Sequence, residues 1–173
     1  MKVYLLGYMG AGKSTYGYKL AKNLNIDFID LDNYIENKYK FTISSFFKVL
    51  GEEAFRIIEH FCLKEISDTD NFIVATGGGT PCFFNNMEII KKSGFSIYLR
   101  LTDKQLLNRL INAKKKRPLI KNKTNEELLS FISKTLYTRE KFYLQSDAVI
   151  DAIDLKTSDL INIVENKIAN WDY

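Results

Sequence analysis

Short apolar runs rich in β-branched and aromatic residues alternate along the 173-residue chain with stretches whose apolar positions recur every three or four residues. The first kind reads as strands over 2–6, 27–30, 72–76, 95–101 and 147–151. The second reads as helices over about 13–24, 32–39, 44–50, 52–67, 85–92, 103–113, 125–144 and 158–170. Within 52–67, Phe55, Ile58, Cys62 and Ile66 fall on one helical face, the side expected to meet a core. Thr102, Thr124 and Thr157 stand where N-caps belong, since a threonine hydroxyl can accept from the first free backbone N–H groups. This alternation predicts an α/β protein with a parallel sheet covered on both faces. With no repeat and no low-complexity linker, the chain reads as one domain. The least patterned segment is NAKKKRPLIKNKT, 112–124, a basic stretch broken by Pro118 and expected to be a mobile loop between two helices.

The first strand runs into GYMGAGKST, residues 7–15. Gly7, Gly12, Lys13 and Ser14 fit the spacing of a phosphate-cradling loop, with Gly10 and Ala11 inside it and Thr15 closing it. Glycines let backbone N–H groups turn inward around an anion where a Cβ would obstruct. Lys13 is placed to reach the β- and γ-phosphates and Ser14 to hold Mg²⁺, at the positive end of the following helix. The expected co-substrate is ATP.

Two acids, Asp30 and Asp32, stand in FIDLDNYIE where the second strand ends. Alternate residues of an extended segment point the same way, so both carboxylates are expected to face one cleft. Open α/β sheets bind ligands beyond the carboxyl ends of their strands, beside such a loop. One acid can then serve Mg²⁺ through water and the other orient an attacking hydroxyl and accept its proton. A helix start decorated with acids for dipole reasons is the plainer alternative. In FIVATGGGTP, Gly77, Gly78 and Gly79 follow a buried strand and leave bare backbone for a ligand to approach.

Composition changes the picture in few places. The chain is 46% hydrophobic and 27% charged with a net charge of +4, an ordinary globule whose mild basicity suits anionic substrates. Its dense basic run, Lys114–Arg117, lacks the interleaved aromatics of a nucleic-acid site. Cys62 and Cys82 are too few for a disulfide framework or a zinc site and are expected to be inert thiols. Neither a signal peptide nor a membrane-length apolar stretch is found, so a cytoplasmic location is expected. His60 has no second ligand and Trp171 is expected to pack; both read as structural.

Arginine is used sparingly: 20 of the 25 basic residues are lysine, leaving arginines at 56, 100, 109, 117 and 139. Its planar fork matches a carboxylate or phosphate bidentately. Arg56 sits at helical spacing from Glu52 and Glu59, with ion pairing as its ordinary role; Arg139 has Tyr143 one turn on; Arg117 lies in the 112–124 loop.

In order and spacing, GYMGAGKST, DLD, GEEAFRIIE, the GGG triplet, RPLI and R-x-x-x-Y-x-x-S-D resemble the shikimate kinase family over nearly the whole chain. The phosphate loop is shared with many kinases, whereas FR-x-x-E, GGG and RPL together are specific. The resemblance implies a nucleoside-monophosphate-kinase-like P-loop fold with a five-stranded parallel sheet in the order 2-3-1-4-5. It implies ATP-dependent phosphorylation of the shikimate 3-hydroxyl, on the route to chorismate and aromatic amino acids, by a monomer. Carried over by position, Ser14 and Asp30 serve Mg²⁺, while Asp32, Gly77, Gly78 and Gly79 contact substrate hydroxyls. Arg56 and Arg139 hold the carboxylate, Arg117 bridges phosphate and substrate from a lid at about 112–124, and Phe47 and Phe55 wall the pocket within a substrate-binding region at about 32–67. Family members usually carry an adenine-stacking arginine a few residues before RPL. Here Leu110, Ile111 and Asn112 stand there, with Arg109 out of register and the loop near 152–157 opposite. The rival readings are another small-molecule P-loop kinase, for gluconate or a nucleoside monophosphate, and a nucleotide-binding module without catalysis.

Overall fold

A computed structural model describes residues 1–113 and 123–169. Five strands, β1 (Lys2–Leu6), β2 (Asp27–Asp30), β3 (Phe72–Ala75), β4 (Phe95–Arg100) and β5 (Ala148–Asp151), form one sheet in the order β2-β3-β1-β4-β5. Every pairing is parallel. The register aligns Asp30 with Ala75 and Ala75 with Leu5, so β2, β3 and β1 end level at their carboxyl ends.

Eight helices accompany the sheet among the described residues: α1 (Lys13–Leu24), α2 (Leu31–Tyr39), α3 (Ile43–Val49), α4 (Gly51–Ser67), α5 (Asn86–Ser93), α6 (Asp103–Ile111), α7 (Asn125–Tyr143) and α8 (Thr157–Ala169). α1 lies across β1, β2 and β3 with α8 beside it, α5 packs on β4 with α4 beside it, and α6 pairs with α7. The central strands β1, β3 and β4 read as continuous apolar runs because both faces are covered, and Tyr4, Leu5, Ile73, Val74 and Ile97 are fully buried. On α4 the predicted face holds, with Phe55, Cys62 and Ile66 buried and Ile58 half-buried. No helix among the described residues is long and apolar enough to cross a membrane.

Three local expectations are corrected. Thr102 and Thr124 cap α6 and α7 through full capping boxes, but Thr157 is the first residue of α8. The Lys156 carbonyl already accepts from the Asp159 and Leu160 N–H groups, so that helix starts one residue early. α6 ends at Ile111 rather than 113. Asp32 is not on an extended segment: Asp30 ends β2 and caps α2, its side chain accepting from the Asn33 N–H at 3.2 Å, which puts Asp32 in the first helical turn.

Candidate active site

The loop after β1 turns through three glycines at positive φ, Gly7 (136°), Gly10 (86°) and Gly12 (98°). At Gly12, the left-handed residue before α1, a side chain would be strained, and a Cβ there would also press on the Tyr16 ring at 3.1 Å. Lys13 is buried, and its ammonium donates to the carbonyls of Gly7 (2.7 Å) and Tyr8 (3.0 Å), so it lies across the loop rather than out in solvent. The hydroxyl of Ser14 donates to Asp30 Oδ2 at 2.6 Å. A hydroxyl and a carboxylate oxygen side by side at the loop are a donor set suited to a hard divalent cation that keeps waters and phosphate oxygens as its other ligands. Thr15 is exposed at the start of α1, and Ala11 is buried.

The triglycine turn that follows β3 brings the rest of the site together. A Cβ on Gly77 would lie 2.8 Å from Glu59 Oε1 and 3.1 Å from Asp32 Oδ1; one on Gly78 would lie 3.2 Å from the Met9 nitrogen and 3.7 Å from Arg139 Nη1; one on Gly79 would lie 2.5 Å from Arg56 Nη2. Each glycine therefore makes room for a different functional group, and the three groups converge on one stretch of backbone. Tyr143, fully buried, donates its hydroxyl to the Gly78 carbonyl and ties the turn to α7. Burial pushes its phenol up, so it stays a donor.

Arg56 is buried on α4. Nη1 donates to Glu59 Oε2 at 2.7 Å, while Nη2 and Nε donate to Glu52 Oε1 at 3.0 and 3.2 Å. Both ion pairs proposed as its ordinary role are thus present, yet they leave one N–H on each terminal nitrogen, since a guanidinium carries five donors. Burial works against the charge, but Glu59 and Glu52 outweigh it and hold the Arg56 pKa above its ordinary value. The guanidinium also lies over Phe83 at 4.3 Å, Phe55 at 5.2 Å and Phe47 at 5.8 Å, and the Phe47 and Phe55 rings are 4.9 Å apart. Arg139 faces the Tyr8 ring and, with Cys82, Phe83 and Thr138, lines an open depression of about 520 Å³. Burial pushes the Cys82 thiol up to about 11 and raises that of Cys62, as expected of inert thiols. Among the described residues no cluster of three or more His, Cys, Asp or Glu side chains could hold a metal ion.

Residues 9–169 match the family model described as shikimate kinase. The chain belongs to the shikimate kinase family. A shikimate kinase of Azobacteroides pseudotrichonymphae genomovar. CFP2 is 46% identical over 168 residues, 96% of this chain and 99% of that protein. The crystal structure of shikimate kinase from Bacteroides thetaiotaomicron superposes with a TM-score of 0.91 at 35% identity, over 98% of each chain. Shikimate kinase from Acinetobacter baumannii, in complex with shikimate, superposes with a TM-score of 0.84 at 32% identity, over 98% of this chain and 93% of that one. Nothing in these likenesses favours a gluconate or nucleotide kinase or a non-catalytic module.

The structure sets several of the residues expected from sequence close to one another. Asp32, Met9 of the phosphate loop with Arg139, and Arg56 meet the three glycines in turn, Ser14 bonds Asp30, and Phe47 and Phe55 lie beside the Arg56 guanidinium. Arg117, with the basic run and Pro118, lies outside the described residues, as does Trp171. Arg109 Nη1 donates to the Ala11 carbonyl (3.1 Å) and Nη2 to that of Ala152 (2.6 Å), joining the phosphate loop to the segment after β5. Leu110 instead is buried against Gly10. Sequence reading missed Phe83 and gave Glu59 only a pairing role; the E of FR-x-x-E, one turn after Arg56, was the available signal.

Proposed function

We propose that this chain transfers the γ-phosphoryl group of ATP to the 3-hydroxyl of shikimate, giving shikimate 3-phosphate and ADP. The observation that carries the reading is the triglycine turn, which meets an acid, the phosphate loop and a guanidinium at three successive residues. A small polyhydroxy acid laid on that turn finds an acceptor for its hydroxyls at Asp32 and a cationic fork for its carboxylate at Arg56. It does so next to the loop that cradles the phosphates.

In this mechanism the backbone of Gly10, Ala11 and Gly12 and the side chains of Lys13, Ser14 and Thr15 hold the nucleotide phosphates. Mg²⁺ would be held by Ser14 directly and by Asp30 through water; when bound it neutralises phosphate charge. Asp32 accepts the proton of the attacking hydroxyl. Arg56 and Arg139 bind the substrate carboxylate while Phe47 and Phe55 wall the ring. Lys13 and Arg117 stabilise charge on the moving phosphoryl group, Arg117 from the lid proposed at 112–124. Its setting is proposed to be the cytoplasm, where it acts as a monomer without nucleic acid or membrane partners; the mild net charge of +4 supports only the absence of a nucleic-acid partner.

An acceptor panel tests the reading. With ATP and Mg²⁺, phosphorylated product should form from shikimate and not from gluconate or nucleoside monophosphates. Comparable turnover on either of those rivals would overturn it.

A further inference from the structure

Glu59, Thr80 and Asn86 have no solvent exposure and are joined in series. The Thr80 hydroxyl donates to Glu59 Oε1 at 2.6 Å, and the other oxygen of that carboxylate accepts from Arg56. Asn86 Nδ2 donates to the Thr80 carbonyl at 2.8 Å, and Asn86 Oδ1 lies 2.7 Å from His60 Nδ1. With its amide nitrogen on a carbonyl, Asn86 offers the ring an acceptor, so His60 Nδ1 carries the hydrogen. The chain thus runs from the half-buried His60 to the substrate-facing guanidinium with the carboxylate oxygens, hydroxyl and amide along it all engaged. A satisfied buried network of this kind specifies one arrangement, whereas a broken one leaves a costly unpaired group.

The backbone between Thr80 and Asn86 is also constrained. Phe84 has φ +50°, a left-handed conformation strained for a bulky residue and held only where the surroundings fix it. The residue before it, Phe83, carries the ring over Arg56 at 4.3 Å. The same short segment therefore touches Arg56 on its face through Phe83 and, through Thr80 and Glu59, on its edge.

We propose that Thr80 and Asn86 are positioning residues for substrate recognition: Thr80 sets the rotation of the Glu59 carboxylate and Asn86 anchors Thr80. The Arg56 fork is then held at one angle before the substrate carboxylate arrives. This rests on the reading of Arg56 as a carboxylate-binding arginine. A fork held in advance loses less freedom on binding, so the benefit falls on substrate affinity rather than on the phosphoryl-transfer step.

Steady-state kinetics on the full chain, varying shikimate and ATP separately, test it with Thr80→Val, Thr80→Ser, Asn86→Ala and Arg56→Lys. Thr80→Val keeps the shape but loses the hydroxyl and should raise the shikimate KM about tenfold, the scale of a lost hydrogen bond to a charged group. The ATP KM should not move, and Thr80→Ser, which keeps the hydroxyl, should restore most of the loss. Asn86→Ala should shift the shikimate KM in the same direction and gives a second route if Thr80→Val does not fold. If Arg56→Lys raises the shikimate KM while the Thr80 and Asn86 variants behave as wild type, or raise both KM values alike, the positioning role is overturned and the reading of Arg56 stands. If Arg56→Lys leaves the shikimate KM unchanged, the reading of Arg56 fails and this proposal with it.

Discussion

At Gly79 a methyl group would meet Arg56 Nη2 at 2.5 Å, and that nitrogen cannot simply swing aside because Glu52, Glu59 and the Phe83 face hold the guanidinium. The backbone there has φ −97°, which any residue adopts, so the cost of Gly79→Ala comes from contact and not from conformation. The expected outcome is a raised shikimate KM with an unchanged ATP KM, read from initial rates; an equal change in both would place the damage elsewhere. Asp30 and Asp32 separate in a similar way. Asparagine caps a helix as well as aspartate does, so Asp30→Asn keeps α2 while removing the charge beside Ser14. It should raise the Mg²⁺ concentration needed for half-maximal activity more than it lowers kcat. Asp32→Asn should do the reverse, and a Mg²⁺ titration of both variants distinguishes them. At this scale the sequence was informative where function demands a local pattern: glycine spacing, rare arginines, paired acids. Thr80 and Asn86 gave no such signal, because what marks them is burial against residues 20 to 30 positions away, which spacing does not reveal. Arg109 shows the same limit, since the Ala152 carbonyl it meets is brought near only by the pairing of β5 with β4.

Helix ends carry much of the local specification. Thr102 and Thr124 close capping boxes with Gln105 and Glu127, so each element starts where its sequence says it should. Thr102→Ala should lower unfolding free energy by about 1 kcal/mol in a denaturant titration. Where an end is not marked by a side chain, as at Thr157, pattern alone misplaces it by a residue. α6 is further tied to α7 by the Ser133 hydroxyl, which donates to Asp103 Oδ2 at 2.6 Å and holds that carboxyl below its usual 3.8. A carboxyl whose folded pKa is depressed contributes stability that is present above its unfolded pKa and lost as pH falls through the folded value. Ser133→Ala should therefore lower Tm at neutral pH, and the gap from wild type should shrink in acid, as pH falls below the usual 3.8 and through the lowered folded value. Thermal melts at both pH values check this; a gap that persists in acid would assign the effect to packing.

For the molecule as a whole, the sheet order 2-3-1-4-5 puts β1 between β3 and β4, and so sets the phosphate loop beside the triglycine turn and opposite Arg109. That arrangement was legible from the alternation of strand and helix together with the family's motif order, while the contacts across it were not. Arg117 completes the proposed mechanism from the segment between α6 and α7. Arg117→Ala is expected to lower kcat on the order of 10³-fold if it acts as arginine fingers do, with Tm unchanged. A variant retaining most of its kcat would reduce it to surface charge.

The proposed reaction carries the γ-phosphoryl group of ATP to the 3-hydroxyl of shikimate. ADP release measured with ATP and Mg²⁺, with and without shikimate, followed by NMR of the product, tests it most directly. Rapid ADP formation is expected only when shikimate is present, in equal amount to a product whose phosphorus couples to the proton on carbon 3. ADP released at the same rate without shikimate, or phosphate found on another oxygen, would contradict it.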